Sequence, residues 1–136
     1  MGSNVDILRT SYAGLNEGSV DAAVAILAPD AVWRESFDFP GGDVLEGRDR
    51  IEEFLVHFLD SWSEFEQEIV AVREAGDRVA LMIDLRAVGK ASGAEVSARY
   101  AHVWTIRDGL GVEVDAYRDA EAGLRSVAGP PEAATP

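Results

Sequence analysis

Residues 100–117, YAHVWTIRDGLGVEVDAY, have the pattern of two β-strands joined by a tight turn. Successive side chains of a strand point to opposite faces, so His102 and Trp104 share one face of the first arm. The Asp-Gly pair at 108–109 is typical of hairpin turns, because glycine adopts a positive φ at little cost. The pattern therefore predicts an antiparallel hairpin that brings His102, Trp104 and the carboxylate of Asp115 onto neighbouring strands. Alternation alone leaves open which face lies inward.

The rest of the chain divides into helical patterns followed by strand patterns. Apolar residues at helical spacing predict helices over 4–16, between Ser19 and Pro29, and over 48–62 and 119–127. Alternating residues predict strands over 31–37, 65–74, 78–88, 95–107 and 112–118, the last four forming an antiparallel series. Helices first and a long antiparallel series afterwards predict the α+β class, with a curved sheet wrapped around the third helix and a cavity between them.

Composition restricts the classes of function. The chain has 136 residues, 47% of them hydrophobic, with a net charge of -13 and no cysteine. This length predicts one domain over residues 1–127, followed by a mobile tail at 128–136. The acidic balance argues against nucleic acid and anionic membranes as partners. No apolar run approaches the roughly 20 residues of a membrane span, and no signal-peptide pattern is present. We therefore expect a cytoplasmic protein.

Four sequence runs carry a resemblance to a known superfamily: YAGLNEGSVD at 12–21, LAPDAVW at 27–33, LEGR at 45–48 and AHVWTIRDG at 101–109. Through them the chain resembles the nuclear transport factor 2-like superfamily and, within it, the SnoaL-like group, over residues 4–127. The resemblance implies a cone-shaped α+β barrel, of the nuclear transport factor 2-like or cystatin-like type, in which a curved, mostly antiparallel sheet wraps around N-terminal helices. It also implies a pocket between sheet and helices and a homodimer packed through the sheet.

Comparison with ketosteroid isomerases assigns one candidate catalytic residue. Their carboxylate on the first strand matches Glu35 of this chain. Their two oxyanion donors fall on Ser11 and near Val103, so both donors are missing unless the neighbouring Tyr12 substitutes. Because donors aimed at the enolate supply a large electrostatic contribution to catalysis, the resemblance argues against steroid isomerisation.

Two other groups of relatives assign different residues. Limonene-epoxide-hydrolase-like proteins use two aspartates and an arginine, and the aspartates match Asp115 and Asp84. The arginine position falls on Met82, whereas Arg86 lies two residues after Asp84 on the same strand face. SnoaL-like polyketide cyclases use a pocket aspartate as base with the help of a histidine, and the matching pair is Asp115 with His102. This last match is the closest of the three.

These observations lead to a first hypothesis, an acid/base enzyme without a cofactor: a cyclase, isomerase or hydrolase acting on a small, mostly apolar carbonyl or epoxide compound. Asp115 is the expected base, His102 the proton donor or orienting group, and Glu35 or Asp84 auxiliary. The expected substrate-binding wall consists of aromatic residues: Tyr12, Trp33, Phe54, Phe58, Trp62, Tyr100, Trp104 and Tyr117. Two histidines without metal-ligand spacing, and no phosphate loop, predict neither a metal nor a cofactor.

The second hypothesis is a non-catalytic small-molecule carrier or dimerisation domain of the same fold. Under this hypothesis each candidate catalytic residue has a structural role instead. Asp115 and Glu35 are solvated strand residues, His102 is a core histidine, and Asp84 forms a surface ion pair with Arg86. For the homodimer, the candidates for a covered sheet face are Ala101, Val103, Val112 and Val114.

Overall fold

The computed structural model of the chain describes residues 3–35 and 44–127. The helices are α1 (Asn4–Asn16), α2 (Val20–Val24), α3 (Arg48–Asp60) and α4 (Ala120–Val127). The strands are β1 (Leu27–Arg34), β2 (Val44–Glu46), β3 (Trp62–Ala75), β4 (Arg78–Gly89), β5 (Glu95–Arg107) and β6 (Leu110–Tyr117). No helix in the described part of the chain is both long and apolar enough to cross a bilayer.

The strands form one curved, unclosed sheet in the order β2-β1-β6-β5-β4-β3. Strands β3 to β6 pair antiparallel with their neighbours in sequence, as predicted. Strand β1 pairs parallel with β6 and antiparallel with β2. The α+β fold class is confirmed.

Several boundaries of the predicted elements need correction. The third helix ends at Asp60 and not at 62, and β3 begins at Trp62, three residues before the predicted start at 65. The second helix ends at Val24, and β1 begins at Leu27, four residues before the predicted start at 31. Strand β2 was not predicted, because three residues are too few to show alternation. The end of the predicted strand at 36–37 and the predicted tail at 128–136 lie outside the described residues.

Helix α1 begins and packs for local reasons. Ser3 caps it, because its hydroxyl accepts from the Asp6 N–H at 3.1 Å while the Asp6 carboxylate accepts from the Ser3 N–H at 3.4 Å. Leu8, Tyr12 and Leu15 recur at helical spacing and are buried. This stripe carries Tyr12 into the space between helix and sheet.

The two faces of the sheet are covered by different elements. Tyr100 and Trp104 lie on the inner face, in the core shared with α1, α2 and α3. Ala101 and Val103 lie on the outer face, where α4 packs over them. Gly123 of α4 allows this contact, since a Cβ there would come within 2.5 Å of the Ala101 Cβ.

The four residues predicted to form a dimer face are therefore covered within the chain itself. Ala101 and Val103 lie under α4, while Val112 and Val114 pack in the inner core. A helix that docks on the outer face cannot be read from strand alternation, which explains the error. The homodimer stays a prediction, without these residues as its interface.

Candidate functional site

A cavity lies between the inner face of the sheet and helices α1 and α3, with a volume of about 260 Å³. Its volume equals that of about nine water molecules at roughly 30 Å³ each, so a compound of one or two rings fits. Seven of the eight predicted wall residues line it: Tyr12, Trp33, Phe54, Phe58, Trp62, Tyr100 and Trp104. Tyr117 does not, because its place on β6 puts it on the outer face, where it packs with the α4 cluster.

Three side chains form a buried hydrogen-bonded chain at the cavity wall. The Trp104 Nε1–H donates to the Tyr12 hydroxyl at 3.0 Å, and this hydroxyl lies 2.6 Å from Nδ1 of His102. Because the hydroxyl accepts from the indole, its own proton is available to Nδ1. In the tautomer that accepts this proton at Nδ1, the neutral imidazole carries its own proton on Nε2, which is then a donor.

Burial keeps both titrating members of this chain uncharged. It lowers the pKa of His102 from 6.5 to about 3, because desolvation penalises the imidazolium. Burial also raises the pKa of Tyr12 above its ordinary value of 10.0, although the hydrogen bond from Trp104 opposes this shift. At neutral pH, His102 is therefore a neutral hydrogen-bonding group and not a cation.

Glu35 is the one carboxylate among the described residues that line this cavity. It directly follows β1, and its Oε1 accepts from the Trp33 Nε1–H at 3.0 Å. The Trp33 ring packs edge-on against the imidazole of His102, with centroids 4.9 Å apart. Burial is the main cause that raises the pKa of both Tyr12 and Tyr100, and the negative charge of Glu35 raises both further. The structure thus brings Glu35 and His102 into one cavity.

Asp115 lies on the other side of the sheet from His102. It pairs with Val103 and Arg34 in the strand register, and its Oδ1 accepts from the Arg34 Nη1–H at 3.2 Å. His102 pairs instead with Ala116, one position along, and faces the cavity. The predicted pocket pair of Asp115 with His102 is therefore not formed, because neighbouring register positions point to opposite faces.

Asp84 also lies on the outer face. Its two carboxylate oxygens accept from Arg99 at 2.5 and 2.8 Å, and these hydrogen bonds lower the pKa of Asp84. Arg86 binds Glu66 at 3.1 Å and not Asp84. The water-holding pair of Asp84 and Arg86 is not formed, and both side chains take part in exposed ion pairs.

Sequence reasoning missed Gln67, a buried polar residue of the cavity wall. A signal was present in the strand predicted at 65–74. Phe65, Gln67 and Ile69 share one face of this strand. A glutamine among apolar residues that face inward indicates a functional position. Ser11 lines the cavity too, but its hydroxyl donates to the carbonyl of Ala23 at 3.2 Å.

Residues 8–114 match the family described as the SnoaL-like domain. The chain belongs to this family. Among curated proteins, none matches this SnoaL-like chain.

Solved structures share the fold at low identity. An NTF2-like protein of unknown function from Burkholderia pseudomallei K96243 is 22% identical, with a TM-score of 0.75 over 95% of this chain and 100% of its own. TerC, co-crystallised with polyporic acid, is 23% identical, with a TM-score of 0.75 over 91% of this chain and 96% of its own. A protein assigned as a SnoaL-like polyketide cyclase from Jannaschia sp. CCS1 is 19% identical, with a TM-score of 0.73 over 94% of this chain and 93% of its own.

Proposed function

We propose that this SnoaL-like protein is an enzyme without a cofactor that moves a proton at the carbon next to a carbonyl group. Its substrate is a small, mostly apolar ketone held in the cavity. One observation carries the proposal: the carboxylate of Glu35 and the neutral imidazole of His102 lie in the same apolar cavity, joined through Trp33. A base and a hydrogen-bond donor in one pocket are what enolisation needs.

Each group has a definite task in this reaction. The carboxylate of Glu35, held by the Trp33 Nε1–H, takes the proton from the α-carbon. The electron pair of the broken C–H bond moves to the carbonyl oxygen, which accepts a hydrogen bond from Nε2–H of His102. Glu35 then returns the proton to carbon. A neutral imidazole can polarise a carbonyl in this way, and the apolar wall strengthens the interaction, because little solvent screens it.

The proposal differs from the sequence-based assignment in the choice of base. Glu35 replaces Asp115, which faces away from the cavity and binds Arg34. Tyr12 takes part as the group that holds the tautomer of His102. TerC, which shares this fold, was co-crystallised with polyporic acid, and this supports a small organic compound as the ligand of the chain.

The test is exchange of carbon-bound hydrogen in D₂O, followed by NMR with 2-tetralone, a two-ring ketone, as the probe. We expect wild-type protein to accelerate exchange at the α-carbon. Glu35→Gln should lower this acceleration by about 100-fold or more, because a positioned base contributes roughly 10²–10⁴-fold. Glu113→Gln, on the outer face beside Arg34, is the matched control and should leave exchange unchanged.

A second candidate function is a carrier that binds such a ketone without changing it. Such a carrier uses the same apolar cavity and the same neutral imidazole, which binds the carbonyl oxygen without any proton transfer. Binding of 2-tetralone without faster exchange would support the carrier and refute the enzyme. Faster exchange that Glu35→Gln leaves intact would refute Glu35 as the base.

A further inference from the structure

Gln67 carries a buried hydrogen-bond acceptor that nothing in the described chain satisfies. Its side chain lines the cavity and is only 7% exposed. Its Nε2–H donates to the hydroxyl of Tyr100, whereas Oε1 has no hydrogen-bond partner among residues 3–35 and 44–127. Buried polar atoms in folded proteins are nearly always paired, so an unpaired one at a cavity wall calls for a partner that enters the cavity.

Hydrogen bonds hold both the backbone of Gln67 and the nitrogen end of its side chain. The Gln67 N–H donates to Oδ1 of Asn16 at 2.8 Å, and Nδ2 of Asn16 donates to the Gln67 carbonyl at 2.9 Å. The last residue of α1 is thus clamped to the backbone of β3 at this position. Since Tyr100 also engages the amide nitrogen, the carboxamide has both its backbone and one end of its side chain fixed.

A second unpaired polar atom lies in the same wall. Nε1 of Trp62 is buried, and no acceptor for it is present in the described ranges. The residues of the cavity wall therefore carry one unpaired acceptor, at Gln67, and one unpaired donor, at Trp62. A hydroxyl is the small neutral group that pairs with either, because it both donates and accepts.

We propose that Gln67 is the specificity-determining residue for a hydroxyl group of the substrate, which makes the substrate a hydroxylated ketone. The ligand hydroxyl donates to Oε1 of Gln67 while the carbonyl oxygen accepts from His102. Tyr100 lies between the two positions, hydrogen-bonded to Gln67 and with its ring centroid 5.2 Å from that of His102. The carbonyl end of this arrangement rests on the proposed function, and the hydroxyl end rests on Gln67 alone.

The test compares the affinities of matched ligands by isothermal titration calorimetry. The probes are 2-tetralone, its four ring-hydroxylated isomers and their methyl ethers. In wild-type protein at least one hydroxy isomer should bind about tenfold or more tightly than both 2-tetralone and its own methyl ether, since only the hydroxyl satisfies the buried oxygen. If every hydroxy isomer binds no tighter than its methyl ether, the inference is overturned without any variant.

Gln67→Met provides the second arm, because methionine has a similar length and shape but no carboxamide. It should reduce the preference for the hydroxyl to within about twofold, with the preference measured against the variant's own affinity for 2-tetralone. Measurable binding of 2-tetralone shows that the cavity of the variant is intact. Glu66→Gln, the neighbouring residue on the outer face, is the control and should keep the full preference. A preference that persists in Gln67→Met would assign the hydroxyl to another group and refute the role of Gln67.

Failure of this inference and failure of the proposed function give different results. Tetralones that exchange their α-hydrogens but bind without a hydroxyl preference refute the role of Gln67 and support the enzyme. A hydroxyl preference lost in Gln67→Met, without faster exchange, supports Gln67 as the specificity residue of a carrier and refutes the enzyme.

Discussion

Acidification from pH 7 to pH 5 should destabilise this protein by about 2 kcal/mol through the single side chain of His102. Burial lowers the pKa of this imidazole from 6.5 to about 3 in the folded state. In the unfolded state it titrates near its ordinary value, so the unfolded chain takes up a proton as the pH falls through 6.5 while the folded chain does not. The contribution of the neutral His102 to the free energy of unfolding is therefore fully present above pH 6.5 and is progressively lost as the pH falls to 3.

The magnitude follows from proton linkage. One proton bound by the unfolded state alone changes stability by about 1.4 kcal/mol per pH unit. The imidazole of the unfolded chain is only partly protonated at pH 6.5 but almost fully protonated by pH 5, which gives about 2 kcal/mol over the window from pH 7 to 5. A comparison of wild type with a variant that lacks this imidazole separates its contribution from those of the other titrating groups.

Urea unfolding followed by tryptophan fluorescence at pH 7, 6, 5.5 and 5 measures this contribution. His102→Gln removes the titrating group, so the difference in unfolding free energy between wild type and variant should shrink by about 2 kcal/mol from pH 7 to 5. His57→Gln removes an exposed imidazole and serves as the matched control, with a profile parallel to wild type. Parallel profiles for wild type and His102→Gln would refute the claim that His102 is buried and neutral.

Three substitutions test the geometry around the cavity. Tyr12→Phe leaves the Trp104 N–H and Nδ1 of His102 buried without their partner, so urea unfolding should show a loss of about 2–4 kcal/mol. Gly111→Ala would place a Cβ 2.5 Å from the Trp104 ring, so we expect a loss of about 1–3 kcal/mol and a shifted indole N–H resonance in NMR spectra. Asp115→Asn breaks a half-exposed ion pair, so stability should change by about 1 kcal/mol or less and calorimetric binding of 2-tetralone should stay unchanged.

Each of these results has a contradicting outcome. Tyr117→Phe removes a hydroxyl on the outer face and is the control for Tyr12→Phe; equal losses in the two would show that the Tyr12 hydroxyl bridges nothing. An unshifted indole resonance in Gly111→Ala would contradict the close approach to Trp104. Loss of α-hydrogen exchange in Asp115→Asn would restore the sequence-based assignment of Asp115 as the base.

The sequence by itself determined the fold class and most of the elements, with the exception of the short strand β2. The predicted ranges 4–16 and 95–107 coincide with α1 and β5, because amphipathic spacing and strict alternation are local properties that the tertiary structure did not override. The turn at 108–109 was likewise readable, since Gly109 adopts φ of 78° there. The four sequence runs and the order of elements also led to the family that the comparison found.

Only the tertiary structure decided which carboxylate enters the cavity. Both faces of β5 are apolar, with Val103 on one and Trp104 on the other, so alternation could not choose between them. The choice came from α4, which covers the outer face, and from α1, whose Tyr12 meets His102 on the inner one. Strand periodicity sorts side chains into two sets, and only the elements that pack on each face determine which set lines the cavity.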